Sequence, residues 1–133
     1  MEIRITLEDG KKVNAHVGEQ VIKTDQSVKS GGEGSAPEPF ALFLASIGTC
    51  AGIYVKFFCD QRGISTDNIY LTQKLDFNPE SHLYEKIVLD INLPTSFPTK
   101  YLEAVKKAAD QCAVKRHLLN PPKIEVNTVV AKQ

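Results

Sequence analysis

Apolar and polar residues alternate at the start of the chain. Ile3, Ile5 and Leu7 are separated by charged or hydroxyl residues, and Val13, Ala15 and Val17 repeat the pattern beyond Asp9-Gly10. A period of two marks a half-buried strand, and Asp-Gly is a hairpin turn signal. Two strands joined at Gly10 are predicted, with Val21-Ile22 beginning a third before Asp25. Residues 27–37 (SVKSGGEGSAP) are rich in Gly and Ser and read as a loop. No Gly-Lys-Ser/Thr follows these glycines, so the loop lacks the mark of a phosphate cradle.

The pattern changes at Pro37-Glu38-Pro39. Proline is tolerated in a first helical turn, and a carboxylate there suits the positive end of the helix dipole. A helix is predicted from about residue 39 to 62, stopping at Gly63, and it is apolar nearly all round, as a helix buried on most sides would be. Ala41, Ala45, Gly48 and Gly52 form one smooth stripe. Pattern alone leaves two partners open for it: a symmetric copy of the same helix, or the chain's own second helix.

Further on, Ile69, Leu71 and Leu75 alternate with polar residues, as do Ile87, Leu89, Ile91 and Leu93 after Asn78-Pro79-Glu80-Ser81, which predicts a hairpin of two half-buried strands. Pro98 opens a second helix with the stripe Tyr101, Val105, Ala108 and Cys112. Asn120-Pro121-Pro122 ends the helical region, and Ile124, Val126, Thr128 and Val130 predict a last amphipathic strand. The order gives an α+β domain with helices covering an antiparallel sheet, and residues 1–133 read as one domain.

Composition narrows the function. Sixteen Lys plus Arg balance sixteen Asp plus Glu, so no net field favours nucleic acid or an anionic membrane. The uncharged run 39–55 falls just short of the roughly 20 apolar residues of a membrane span. The alternating N-terminus does not read as a signal peptide, and three cysteines are too few for a disulfide-stapled secreted domain. A soluble, cytoplasmic chain in a reducing compartment is expected.

The cysteines are the candidate chemistry. Cys50 and Cys59 are nine residues apart on one predicted helix, so they point to opposite sides about 13 Å apart along its axis. A disulfide needs Cα atoms within about 7 Å, so an intramolecular pair must involve Cys112. Apolar neighbours raise a thiol pKa, and on pattern alone Cys50 reads first as a core filler unless a cation or hydrogen-bond donor meets it. Asp110 is a candidate cap for a fresh short helix from residue 113 to 119, which would put Cys112 in its first turn with Lys115 and Arg116 close behind. Cys59, beside Lys56 and Arg62, reads as structural. No Cys-x-x-Cys or His-x-x-x-His spacing supports a metal site, and His16, His82 or His117 could serve a cysteine only through tertiary pairing.

Two stretches carry a family resemblance. Residues 36–50 (APEPFALFLASIGTC) resemble the signature of the OsmC/organic hydroperoxide resistance family, in which a proline-bounded helix start leads to a central-helix cysteine. Residues 112–126 (CAVKRHLLNPPKIEV) are similar to that family's second cysteine, short helix and final strand. The resemblance implies an intertwined homodimer, with antiparallel sheets wrapped around a long buried central helix, and so favours the symmetric partner for the small-residue stripe. It implies a peroxidase of oxidative or osmotic stress defence, with Cys50 as the peroxidatic thiol and Cys112 resolving its sulfenic acid to a disulfide. An external thiol or dithiol would be the reductant, a hydroperoxide the substrate, and neither metal nor organic cofactor would be needed. Glu38 matches an acidic residue that holds an arginine against the peroxidatic cysteine in the hydroperoxide-reductase branch. The early hairpin of this chain has no such arginine; it offers Lys11 and Lys12, and Arg4 is the sole arginine before residue 62. Lysine is a point charge without the bidentate fork of arginine, so the chain resembles the OsmC-like branch more closely. The competing expectation is a non-enzymatic module on this fold, binding a small apolar or acylated ligand beside the aromatic residues of the central helix.

Overall fold

In the computed structural model, which describes residues 1–131, the first alternating segments pair as predicted. Strands β1 (Arg4–Leu7), β2 (Val13–Val17) and β3 (Gln20–Thr24) form an antiparallel sheet in that order. Ile5 lies opposite Ala15 and Ala15 opposite Ile22, so the alternating apolar positions share one face. The described residues fall into two compact units, Met1–Ser46 and the part from Ile47 onward.

In the first unit the Gly/Ser loop is an ordered knot built on Asp25. The Asp25 side chain has no solvent exposure. Its carboxylate accepts from the Ser35 hydroxyl at 2.6 Å, the Ser35 N–H at 3.0 Å and the Gln26 N–H at 2.7 Å. Gly32 passes so close to the Gln26 carbonyl that no side chain fits there. Glu38 closes the other end, its Oε1 accepting the Ser27 N–H at 3.0 Å. The long helix α1 (Pro39–Gln61) starts directly after this knot.

In the second unit α1 ends as a Schellman motif. Gly63 takes the left-handed conformation (φ 64°), and the N–H groups of Gly63 and Ile64 donate to the carbonyls of Asp60 and Cys59. Strands β4 (Tyr70–Asn78) and β5 (Leu83–Asn92) form the predicted hairpin, with a bulge at Asp76/Phe77. A 3-10 turn after Pro98 leads into α2 (Leu102–Asp110), followed by α3 (Ala113–Leu119). The core joins Val55, Phe58 and Cys59 of α1 to Phe97 and Val105, with Ile69, Leu71, Ile91 and Leu93 packed around them. Each fully buried aliphatic or aromatic side chain of this kind stabilises the fold by about 1.5–3 kcal/mol. Arg62 stacks on the Phe58 ring at 3.7 Å and donates to the Phe58 carbonyl, tying the helix end to the core.

Three expectations are corrected. First, the chain by itself does not bury α1 on most sides. Its buried stripe is Ile47, Ala51, Val55, Phe58 and Cys59, while Ile53 and Phe57 stay exposed, because the hairpin and α2 cover one side only. By length and composition it is one helix able to cross a bilayer. Secondly, the chain's own second helix does not fill the small-residue stripe: Gln73 and Leu89 of the hairpin occupy the space beside Gly48, and Gly52 has nothing against it within the chain. Thirdly, residues 120–131 form no strand. Ile124, Val126, Val129 and Val130 are 85–91% exposed, and without a neighbouring ladder an alternating sequence cannot become a sheet.

Asp25 makes a pH prediction. Its hydrogen bonds from Ser35, first the hydroxyl and then the N–H, hold its pKa down at about 2 from an ordinary 3.8. A depressed carboxylate adds stability that is complete above the ordinary value and drains away as pH falls through 2. Urea midpoints of wild type and Asp25→Asn should therefore differ most near neutrality and converge towards pH 2.

Candidate active site

The site is assembled in the second unit from α1 and the start of α3. α2 stops at Asp110, where the Gln111 N–H turns back to the Ala108 carbonyl. Cys112 then adopts a non-helical backbone (φ −50°, ψ 129°) and stands at the N-cap position of α3. The first N–H groups of a helix have no partner within it. Those of Ala113 and Val114 lie near enough to the Cys50 sulfur to lower its pKa, and α1 presents that sulfur one turn beyond Ile47. The Cys112 thiol donates to the Ile47 carbonyl oxygen at 4.0 Å and neighbours Cys50. Both cysteines are free thiols.

This arrangement polarises the pair. Burial pushes the Cys50 thiol up, but the Val114 N–H, the Cys112 thiol, the Ala113 N–H and the Arg116 charge together bring it below its ordinary value. For Cys112 burial dominates, and the neighbouring Cys50 adds to it, so its pKa is raised despite donors at Lys115 and Val114. Of the two, Cys50 is the more acidic thiol and Cys112 the less acidic. Cys59 is fully buried with its pKa raised, chiefly by that burial, as an inert core thiol would be.

The sequence-predicted residues are distributed unevenly. Cys50 and Cys112 come together. Asp110 is not the cap expected of it: it ends α2, and its carboxylate pairs with Lys115. The positive charge foreseen for Cys112 acts instead on Cys50, through Arg116. His117 directs Nδ1 to the Ala113 carbonyl at 2.7 Å, inside its own helix, and not to a cysteine. Glu38, Lys11 and Lys12 belong to the first unit, where Glu38 holds the Ser27 N–H and Lys12 pairs with Glu33 at 2.8 Å and Asp9 at 3.4 Å. Among the described residues no cluster of three or more His, Cys, Asp or Glu is placed to hold a metal ion.

Sequence reasoning missed a cavity of about 540 Å³ beside the pair. Ile47, Ile87, Leu89 and Leu118 give it apolar walls, and Cys112 and Lys106 also line it. The inward residues of β5 are its visible signal, since their alternation continues past the packed core.

Thiol titration tests the polarity. Alkylation-rate profiles should place the Cys50 pKa below that of Cys112, and Arg116→Met should move Cys50 upward while the fold persists. A Cys50 that titrates above Cys112 in wild type would reverse the assignment.

Comparison with known proteins agrees with this geometry. The profile of the OsmC-like protein family matches residues 32–127. A solved structure from Psychrobacter arcticus 273-4, named for an osmotic stress induced and detoxification response, has a TM-score of 0.70 at 16% identity, covering 86% of this chain and 85% of that one. The OsmC-like protein of Mycoplasma pneumoniae gives 0.62 at 16% identity over 90% and 87%. An organic hydroperoxide resistance protein OsmC of Legionella pneumophila gives 0.52 at 21% over 89% of each chain. No curated protein sequence matches. The α+β architecture with antiparallel sheets is the fold these structures share, and the chain belongs to the OsmC-like protein family, whose members are typically soluble.

Proposed function

We propose that the protein is a thiol-dependent peroxidase that reduces hydroperoxides in the cytoplasm, as part of oxidative stress defence. What carries this reading is the meeting of Cys50 with Cys112 at the start of α3, where the Cys50 pKa is lowered and the Cys112 pKa is raised. Membership of a family that includes named hydroperoxide resistance proteins supports it.

The Cys50 thiolate attacks the distal oxygen of the hydroperoxide. The O–O bond breaks, the alkoxide leaves and takes a proton from solvent to become an alcohol, and Cys50 is left as a sulfenic acid. Cys112 then loses its proton and attacks the Cys50 sulfur, expelling hydroxide, which leaves as water. The product is the Cys50–Cys112 disulfide, and an external thiol or dithiol returns both sulfurs to the reduced state. No metal or organic cofactor takes part in these steps.

Arg116 and the two N–H groups supply the activation that the resemblance assigns to a hairpin cation, so Lys11 and Lys12 are not required for it. Glu38 fastens the loop at Ser27 and takes no part in these steps. The working form is a homodimer. Its support is the extended segment after Asn120, whose Ile124, Val126, Val129 and Val130 have no cover within the chain.

Two experiments test the reading. Reduced protein mixed with a small excess of cumene hydroperoxide should lose two hydrogens, mapped to Cys50–Cys112. Cys112→Ser should stop at a Cys50 sulfenic acid that dimedone traps, and Cys50→Ser should consume no peroxide above the buffer rate. Unreactive thiols in the wild type would sink the peroxidase and favour a ligand-binding module using the cavity beside Cys112. Sedimentation equilibrium should give a dimer, and substituting Val126 and Val130 with Asp should shift it towards monomer.

A further inference from the structure

We propose that Asp110 is a positioning residue of the cysteine pair: through its ion pair with Lys115 it holds α3 in the direction that keeps Cys112 beside Cys50. This rests on the redox-pair reading above and adds to it a residue that acts through another. The chain turns at Gln111 (φ −85°, ψ 10°) and Cys112 (φ −50°, ψ 129°), where the helical path is broken. The backbone bonds next to the break stay on their own sides. The Gln111 N–H donates to the Ala108 carbonyl of α2, and the Arg116 N–H to the Cys112 carbonyl at the start of α3. Packing does little to aim α3, because none of its residues is buried. Its start is anchored by Cys112, which is 2% exposed and bonded through its thiol to the Ile47 carbonyl. A helix held at that point alone can swing about it. Lys115 supplies a second point, its ammonium reaching back across the break to the Asp110 carboxylate at the end of α2. Rotation about the Cys112 backbone would carry Lys115 away from Asp110, so the ion pair opposes that rotation.

The exposure of the pair decides what it does. The side chains of Lys115 and Asp110 are 46% and 65% exposed, and an ion pair so placed adds little to global stability. A local equilibrium is more sensitive. Whenever α3 turns away, Cys112 is out of reach of Cys50, and the effective concentration of one thiol at the other falls in proportion. Exchange with glutathione measures that concentration: the protein disulfide takes up two electrons and two protons as two glutathione thiols become one glutathione disulfide. The ion pair and the protein disulfide favour the same position of α3, so each strengthens the other.

The test equilibrates the full chain with mixtures of reduced and oxidised glutathione and quantifies the Cys50–Cys112 disulfide by peptide mass after acid quenching. Asp110→Asn and Lys115→Met both break the pair but change the local charge in opposite senses. Each should shift the equilibrium towards the dithiol by about two- to five-fold. The double variant should shift it no further than either single one. Shifts in opposite directions would mean that charge, and not position, acts on the thiols, and would overturn the proposal. Additive shifts, an unmoved equilibrium, or wild-type cysteines that do not join would overturn it equally. Cumene hydroperoxide reads the peroxidase separately. If it leaves the pair reduced while the glutathione shifts appear as expected, the peroxidase reading falls and the positioning role of Asp110 stands.

Discussion

The chemistry of the site depends on one interruption of the backbone, at Gln111-Cys112. Had α2 run on, Cys112 would have continued its apolar stripe and the N–H groups of Ala113 and Val114 would have been spent inside the helix. The break frees them, and they meet the sulfur of Cys50 on a different element. Each backbone donor to a charged acceptor is worth more than a neutral hydrogen bond, and more again in a partly buried setting. Together with the neighbouring Cys112 and the Arg116 guanidinium they outweigh burial, and the Cys50 pKa falls below its ordinary value.

The rest of the second unit holds that meeting point in place. The Schellman end of α1, the Arg62 stack on Phe58 and the core around Val55, Cys59 and Val105 fix α1 against α2 and the hairpin. Cys50 is therefore carried on a rigid helix, and the short α3 is aimed by the end of α2. The lysine nearest the break is neutralised by Asp110, which leaves Arg116 as the charge that acts on the thiolate. In the first unit, Asp25 and Glu38 order a glycine-rich loop that composition alone would call flexible.

Much of this was legible in the sequence because it follows from periodicity. The strands at Ile3 to Val17, the hairpin of Leu71 and Leu89, the long helix stopping at Gly63 and the short helix at Ala113 all follow local pattern. Helical geometry excluded a Cys50–Cys59 bridge and so required Cys112 in any intramolecular pair, while the choice of Cys50 as its partner came from the family resemblance. What stayed hidden depends on contacts across the chain. Apolar composition around α1 could not say which residues would be covered, since Ile53 and Phe57 read the same as Val55 and Phe58. The alternation of Ile124 to Val130 fixed a preference for extended backbone but not the presence of a neighbour to pair with. Which cysteine the helix end would serve was equally invisible. Spacing put Lys115 and Arg116 near Cys112, and only the tertiary fold turns Arg116 and the N–H groups onto Cys50.

On the proposed cycle, activation and recovery have the same origin. Interactions that stabilise the Cys50 thiolate stabilise the reduced protein, because the disulfide carries no charge for Ala113, Val114 and Arg116 to meet. Forming the disulfide therefore forfeits those bonds, and the oxidised state is correspondingly easier to reduce. A thiolate held only by a distant cation would give up less on oxidation, and its disulfide would persist longer. Placing the donors and the resolving sulfur on one short helix couples the two halves of the cycle: α3 lowers the pKa of the attacking sulfur, supplies the thiol that captures its oxidised form, and favours the return to thiolate. The same coupling limits variation at the break, since a residue at 112 that continued the helix would remove the resolving thiol and the activating donors together.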